Sequence, residues 1–374
     1  MLGAEMYKWT ESGPGVLGAG TAEMDFGTAP AVACALRRAI EREQFGYLTP
    51  AVSLEARVAC AQWQCDNYGW NVQQADVQLL PDILRALHIA VEHFSRPGAP
   101  VIVPTPAYPP FLRVPGLLGR PVVEMALVSS DLGYTYDLDL LGHLLAGGGR
   151  LLLLCNPHNP TGRVFDAIEL AAISEVVERH DGRVFADEVH APIVYRGHRH
   201  VPYASVSPAA AAHTLTATSA SKGWNLPGLK CAQVVLSNDA DRGRWWSLNR
   251  LATDGTSTLG AIAATAAYRH GRSWLHALLG HLDRNRRLLG DLLSASAIRY
   301  TPPDGTYLGW LDCRKLALGD VTPGRYFAQH AEVSTLDGAE CGEGGTGHVR
   351  LNFATSRSIL TTIAARLAAA QDQL

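Results

Sequence analysis

Short apolar runs that each end in a polar loop constrain this chain more than any other feature. They lie at 100–103 (PVIV), 121–125 (PVVEM), 150–155 (RLLLLC), 183–186 (RVFA), 214–218 (TLTAT) and 231–236 (CAQVVL). Most are apolar at consecutive rather than alternate positions, the pattern of strands buried on both faces. Helical patterns at about 83–95, 166–180 and 258–270 lie among them. Such alternation predicts an α/β fold, with a mostly parallel sheet covered by helices. After about residue 275 the pattern changes to a long helix (274–294), strands at 306–312 (TYLGWLD) and 348–353 (HVRLNF), and a closing Ala-rich helix. The expected organisation is a large domain over 46–275 and a smaller α+β domain over 276–374. The N-terminal segment, 1–45, is expected to pack with the smaller domain. A chain of 374 residues is long enough for two cores.

Composition removes several classes of function. The net charge of −3 comes from interspersed acids and bases, so there is no electrostatic footprint for nucleic acid. No apolar run approaches the ~18 residues of a membrane span, and the N-terminus (MLGAEMYKWTESG) has no signal-peptide pattern. Seven cysteines without a Cys-x-x-Cys pair read as reduced packing residues of a cytoplasmic protein, and no metal-ligand cluster is expected. Lysine is scarce: it occurs at 8, 222, 230 and 315 only, and the other 28 basic residues are arginine. Arginine supplies surface charge equally well, but only lysine gives an amine that deprotonates and condenses with a carbonyl.

In open α/β sheets, ligands bind beyond the carboxyl ends of the strands. There PVIV leads to Tyr108, LLLLC to NPHNPTG with Asn159, RVFA to Asp187 and His190, and TLTAT to Ser219, Ser221 and Lys222. Taken singly, Asp187 could cap a turn, Asn159 could serve turn geometry, Tyr108 could pack and Lys222 could lie on the surface. Four such explanations do not account for an amine, a carboxylate, an amide and an aromatic ring at successive strand ends.

These motifs, with EMDFGTAP at 23–30, FGY at 45–47, SASKGWNLPGLK at 219–230 and TSTLG at 256–260, give a clear resemblance. From about Glu23 to Arg357 the chain resembles the fold-type-I pyridoxal-phosphate enzymes of the class I/II aminotransferase superfamily, which share the aspartate aminotransferase-like fold. NPHNPTG together with DEVH resembles most the cystathionine β-lyase-like carbon–sulfur lyases, the MalY/PatB group. The resemblance implies that Lys222 carries pyridoxal 5′-phosphate as a Schiff base and serves as general base and acid. Asp187 would face the ring nitrogen, Asn159 the phenolic oxygen, and Tyr108 the ring face. Ser219, Ser221, Lys230 and the backbone of Ile83 and Leu84 would hold the phosphate. Tyr47 would reach the phosphate of a second subunit, which implies a homodimer with shared active sites, and would also border the substrate there. Arg350, with Asn159, would bind the substrate carboxylate.

Three departures bear on function. Pro81-Asp82-Ile83 stands where relatives often have small residues, and His190 stands where many aminotransferases have tyrosine. VLGAGTAEMDF replaces a Leu/Trp-containing stretch, in a region that walls the substrate pocket. The expected reaction is β-elimination from cysteine S-conjugates, cystathionine-like or from specialised metabolism. Transamination or decarboxylation-linked chemistry remains open, as does a regulatory protein that keeps the fold without catalysis.

Overall fold

The computed structural model describes residues 6–130 and 133–374, so the first five residues of the expected N-terminal segment lie outside it. Seven strands form the main sheet: β1 (Val77–Leu80), β2 (Val101–Thr105), β3 (Val122–Ala126), β4 (Leu151–Cys155), β5 (Arg183–Asp187), β6 (Thr214–Thr218) and β7 (Ala232–Leu236). Their order is β1-β7-β6-β5-β4-β2-β3. All run parallel except β7, which is antiparallel to both β6 and β1. The six expected strands are present, and β1 is an addition. Its four residues, VQLL, end at Pro81 and offer too short a pattern to stand out.

Although LLLLC is buried throughout, its side chains still alternate. Leu151 and Leu153 join Leu87, Val101, Phe111 and Phe185 on one face, while Leu152 and Leu154 join Leu170, Ile173 and Val184 on the other. Helices cover both faces, and side-chain caps fix their starts. Asp82 accepts from Arg85 N at the head of α1 (Ile83–His93), and Asp166 with Glu169 forms a capping box on α2 (Ala167–Arg179). Ser257 caps α3 (Thr258–His270), whose Gly260 lies so close to the Leu229 carbonyl that a Cβ there would overlap it. That close approach presses α3 against the turn carrying Lys230.

The 22-residue α4 (Arg272–Leu293) leads to a second sheet of β8 (Arg299–Tyr300), β9 (Leu308–Asp312), β10 (Leu336–Asp337) and β11 (His348–Asn352), ordered β8-β9-β11-β10. Helix α5 (Arg357–Gln371) packs on α4. The N-terminal segment divides between the two halves. Leu17–Gly18 pairs with Val333–Ser334 beside the smaller sheet, whereas the helix Pro30–Glu41 packs on α3. Between them, the EMDF loop is tied to the segment after Lys222. Asn225 exchanges hydrogen bonds with Met24 N and O (3.0 and 2.8 Å), and Thr28 donates to Trp224 O (2.7 Å).

Candidate active site

A cavity of about 1000 Å³ opens at the carboxyl rim of the main sheet. Tyr108 follows β2, Asn159 follows β4, Asp187 ends β5 with His190 just beyond, and Lys222 follows β6; all five line the cavity. Because β7 runs the opposite way, its beginning reaches the same rim and brings Lys230 with it. The parallel topology therefore gathers residues separated by more than 100 positions.

Lys222 sits in the single helical turn Ala220–Gly223, and its Nζ donates to the Ala22 carbonyl at 2.8 Å. Its pKa is lowered to about 8, first by burial and then by the Arg350 charge, against the opposing pull of Asp187 and Glu23. An amine so placed is readily deprotonated near neutral pH, as Schiff-base formation and general-base work require. Asp187 is 4% exposed, and its Oδ1 accepts one bond, from Val189 N at 3.0 Å. Burial pushes its pKa up to about 7. A carboxylate with so few donors gains from a cationic N–H opposite it, the group a protonated pyridine presents. His190 is buried, stands edge-on to Tyr307 at 5.8 Å, and among the described residues has no partner for Nδ1. Burial and the neighbouring Lys222 and Arg350 charges hold its pKa well below the usual value, so the imidazole is neutral.

Ile83 and Leu84, at the N-terminus of the 11-residue α1, line the other end of the cavity with Ser219, Ser221 and Lys230. Three details differ from a simple set of phosphate donors. The Ser219 hydroxyl donates to Cys231 O (2.8 Å) and accepts from Ser221 N, so it serves the turn that presents Lys222. Lys230 Nζ pairs with Asp82 Oδ2 at 2.9 Å, while Asp82 Oδ1 caps α1. The acid beside the expected phosphate position thus has two structural tasks. Tyr47 is 99% exposed and is not among the residues lining this chain's cavity.

Arg350, on β11, is 4% exposed. It donates through Nη1 to Asn159 Oδ1 (2.9 Å) and through Nη2 to Gly20 O (2.7 Å), and its Nε has no partner among the described residues. These bonds fix the plane of the fork and leave a buried N–H for an anion. The amide oxygen of Asn159 is engaged by Arg350, which leaves its amide N–H groups for a ligand.

Several lining residues were not singled out from sequence. Tyr7, Glu11, Ser12, Thr21 and Glu23 form a wall from the N-terminal segment, and Glu340 adds an acid from the other side. Tyr307 donates to the same Ala22 carbonyl as Lys222, at 2.9 Å. Of these, Glu23 and Thr21 lie in the VLGAGTAEMDF stretch that carried a sequence signal, whereas Tyr7, Glu11, Ser12, Glu340 and Tyr307 had none. The motif's His158, by contrast, is buried against Phe165 and bonded to Thr161 Oγ1 at 2.9 Å, outside the cavity lining.

The residues present therefore fit pyridoxal phosphate: a depressed amine, a buried acid that gains from a cation opposite, and a helix N-terminus with a lysine. Residues 14–367 match the family described as aminotransferase class I and II, and the chain belongs to that family of pyridoxal-phosphate-dependent enzymes. Within it, the chain falls with the carbon–sulfur lyases. It is 39% identical over 353 residues to cystathionine beta-lyase of Corynebacterium glutamicum, covering 94% of this chain and 93% of that one. It is 31% identical to cystathionine beta-lyase PatB of Bacillus subtilis, covering 99% and 97%. The crystal structure of cystalysin from Treponema denticola, which contains pyridoxal 5′-phosphate, superposes with a TM-score of 0.92 at 28% identity, covering 100% of this chain and 96% of that one.

Proposed function

We propose that this enzyme cleaves the Cβ–S bond of L-cysteine S-conjugates, cystathionine-like or more specialised, and releases a thiol, ammonia and a 2-oxo acid. The observation that carries this reading is one cavity holding a depressed amine (Lys222) and a buried guanidinium (Arg350) whose Nε has no partner among the described residues, in a chain 39% and 31% identical over nearly its whole length to two cystathionine beta-lyases.

Bound pyridoxal phosphate supplies an electron sink for negative charge developing at the substrate Cα. Lys222 would hold it covalently, and Asp187 would sit against the ring nitrogen as the counter-charge. Tyr108 would cover the ring face, Asn159 would donate to the phenolic oxygen, and Ile83, Leu84, Ser221 and Lys230 would hold the phosphate. Arg350 takes the substrate α-carboxylate, which orients Cα towards the Lys222 amine. The Lys222 amine would be the base that takes up the Cα proton. The Cβ–S bond then breaks with its electron pair leaving on sulfur, and Lys222 can return the proton to the departing thiolate. Hydrolysis of the unsaturated amine product gives ammonia and the 2-oxo acid. His190, neutral and unpartnered at Nδ1, can hydrogen-bond a ligand atom without adding charge.

The proposal extends to a homodimer in which Tyr47 completes the neighbouring site. Its full exposure, with Ile40 and Phe45 also exposed nearby, supports this reading. Five of the seven thiols are buried and none of the seven is paired, which supports a reducing, cytoplasmic setting.

The test supplies a cysteine S-conjugate without a 2-oxo acid acceptor and follows thiol, ammonia and pyruvate. Sustained equimolar release of all three is expected. A single turnover that restarts only when a 2-oxo acid is added would instead identify an aminotransferase.

A further inference from the structure

Pro81-Asp82-Ile83 sets an acid at the end of the cavity proposed to take the cofactor's phosphate. Asp82 stands at the head of α1. Its Oδ1 accepts from Arg85 N at 2.8 Å and its Oδ2 from Lys230 Nζ at 2.9 Å. Against the cost of partial burial, the Lys230 bond and the Arg85 and Leu84 amides hold its pKa below the ordinary value, so the carboxyl is charged at neutral pH. An anion is thus built into the N-terminus of this helix by the chain itself.

The groups that hold the Asp82 carboxylate are those a phosphate would use. One is the set of free amides at the start of α1, where negative charge is favoured. The other is Lys230. The cavity's other cations, Lys222 and Arg350, donate to the Ala22 and Gly20 carbonyls and so belong to the opposite end. Arg85 turns away, giving Nε to Ala252 O (2.7 Å) and Nη2 to Leu251 O (3.2 Å). The Lys230 backbone is fixed in the left-handed region (φ 50°), and its carbonyl accepts from Ser257 N at 3.1 Å. Its side chain, by contrast, is exposed and carries its ammonium on a flexible stem. The ammonium can therefore pass from one anion to another while the turn stays still.

We propose that Asp82 is an internal competitor for the cofactor's phosphate group: it engages the helix end and the lysine that the phosphate needs, and so lowers this chain's affinity for the phosphorylated cofactor. A phosphate bound here must draw Lys230 off Asp82 or share it, and in either case it lies beside a fixed negative charge. A phosphate monoester is close to doubly negative at neutral pH. One ammonium set against one carboxylate leaves that charge to the helix end alone, so the cofactor exchanges more readily than it would with an unopposed lysine. The inference rests on the phosphate lying at α1, and not on which bond the enzyme cleaves.

The test measures the dissociation constants of pyridoxal phosphate and of pyridoxal, which lacks the phosphate, from the absorbance of the full-length protein dialysed against graded concentrations of each. Both carry the aldehyde that Lys222 takes, so their difference isolates the phosphate. Asp82→Asn and Asp82→Ser remove the charge and keep a good helix cap. Both variants should bind pyridoxal phosphate at least about fivefold more tightly than the parent, the upper range of one exposed ion pair, with pyridoxal unchanged. Lys230→Met should weaken pyridoxal phosphate alone. Unchanged or weaker binding of pyridoxal phosphate in both Asp82 variants, or an equal gain for pyridoxal, would overturn the proposal. If Lys230→Met weakens the phosphorylated form while the Asp82 variants leave it unchanged, the phosphate site stands and the competition alone fails. If Lys230→Met changes neither ligand, the phosphate lies elsewhere and both fall.

Discussion

The buried Asp187 carboxylate sets function against stability, and its replacement separates the two. In the folded protein its pKa rises from 3.8 to about 7 because burial penalises the charge more than Val189 N and Lys222 relieve it. A carboxyl group whose folded pKa exceeds its unfolded value binds more protons when folded. Its contribution is fully present below the lower pKa and is lost as pH rises through the folded one. Above pH 7 the cofactor-free protein therefore carries a penalty of at most about 4 kcal/mol, at 1.36 kcal/mol per pKa unit. Asp187→Asn removes the charge and keeps an oxygen for Val189 N. Urea unfolding of the apoproteins should find the variant more stable than the parent at pH 8, with the gain smaller by up to about 3 kcal/mol at pH 5. In the holoenzyme the same variant should lose several powers of ten in turnover, because the counter-charge for the ring nitrogen is gone. An apo variant that is no more stable than the parent at pH 8 would refute the electrostatic reasoning, and unchanged turnover would remove the proposed role.

Borohydride reduction followed by peptide mapping should place the pyridoxyl group on Lys222, and Lys222→Ala should lose the visible cofactor band and nearly all turnover; a label on Lys230 would contradict the assignment. Arg350→Lys keeps the charge but loses the planar fork, so KM for a cysteine conjugate should rise about 10-fold or more while the cofactor spectrum is retained; an unchanged KM would argue against carboxylate binding there. Mixing Lys222→Ala with Tyr47→Phe subunits should restore up to about a quarter of parental activity, since half of randomly mixed dimers carry one site with both native groups. Activity no higher than the two parents' mean would count against a shared site.

What sequence could reveal followed from where motifs end rather than from how the chain returns on itself. Tyr108, Asn159, Asp187 and Lys222 were legible because a parallel sheet puts the ends of apolar runs at one rim, whatever the loops do. Ser219 was legible in position but not in use, since the acceptor of its hydroxyl, Cys231 O, lies across the turn, immediately before the reversed strand. The Asp82–Lys230 pair is of the same kind: 148 residues separate the partners, and only the β1–β7 pairing brings their strands together.

The N-terminal wall was legible as a region but not in its geometry, for a further reason. Its residues are positioned by contacts that no local pattern encodes: Asn225 gripping Met24, Lys8 buried on Asp25, and Arg350 held to Gly20. Two of them tie the wall to distant parts of the chain and the third closes the segment on itself, and together they hold the Ala22 carbonyl that Lys222 and Tyr307 share. The cofactor end of the site is built on strand ends that the main sheet holds rigidly. The substrate end is hung from a segment without a sheet of its own, apart from the two-residue pairing of Leu17–Gly18 with Val333–Ser334. Changes of sequence in that segment alter the pocket without disturbing the strand ends. A family built this way can keep one chemistry while exchanging the group on sulfur, and the departure from the usual Leu/Trp stretch falls in the one place where such an exchange is structurally cheap.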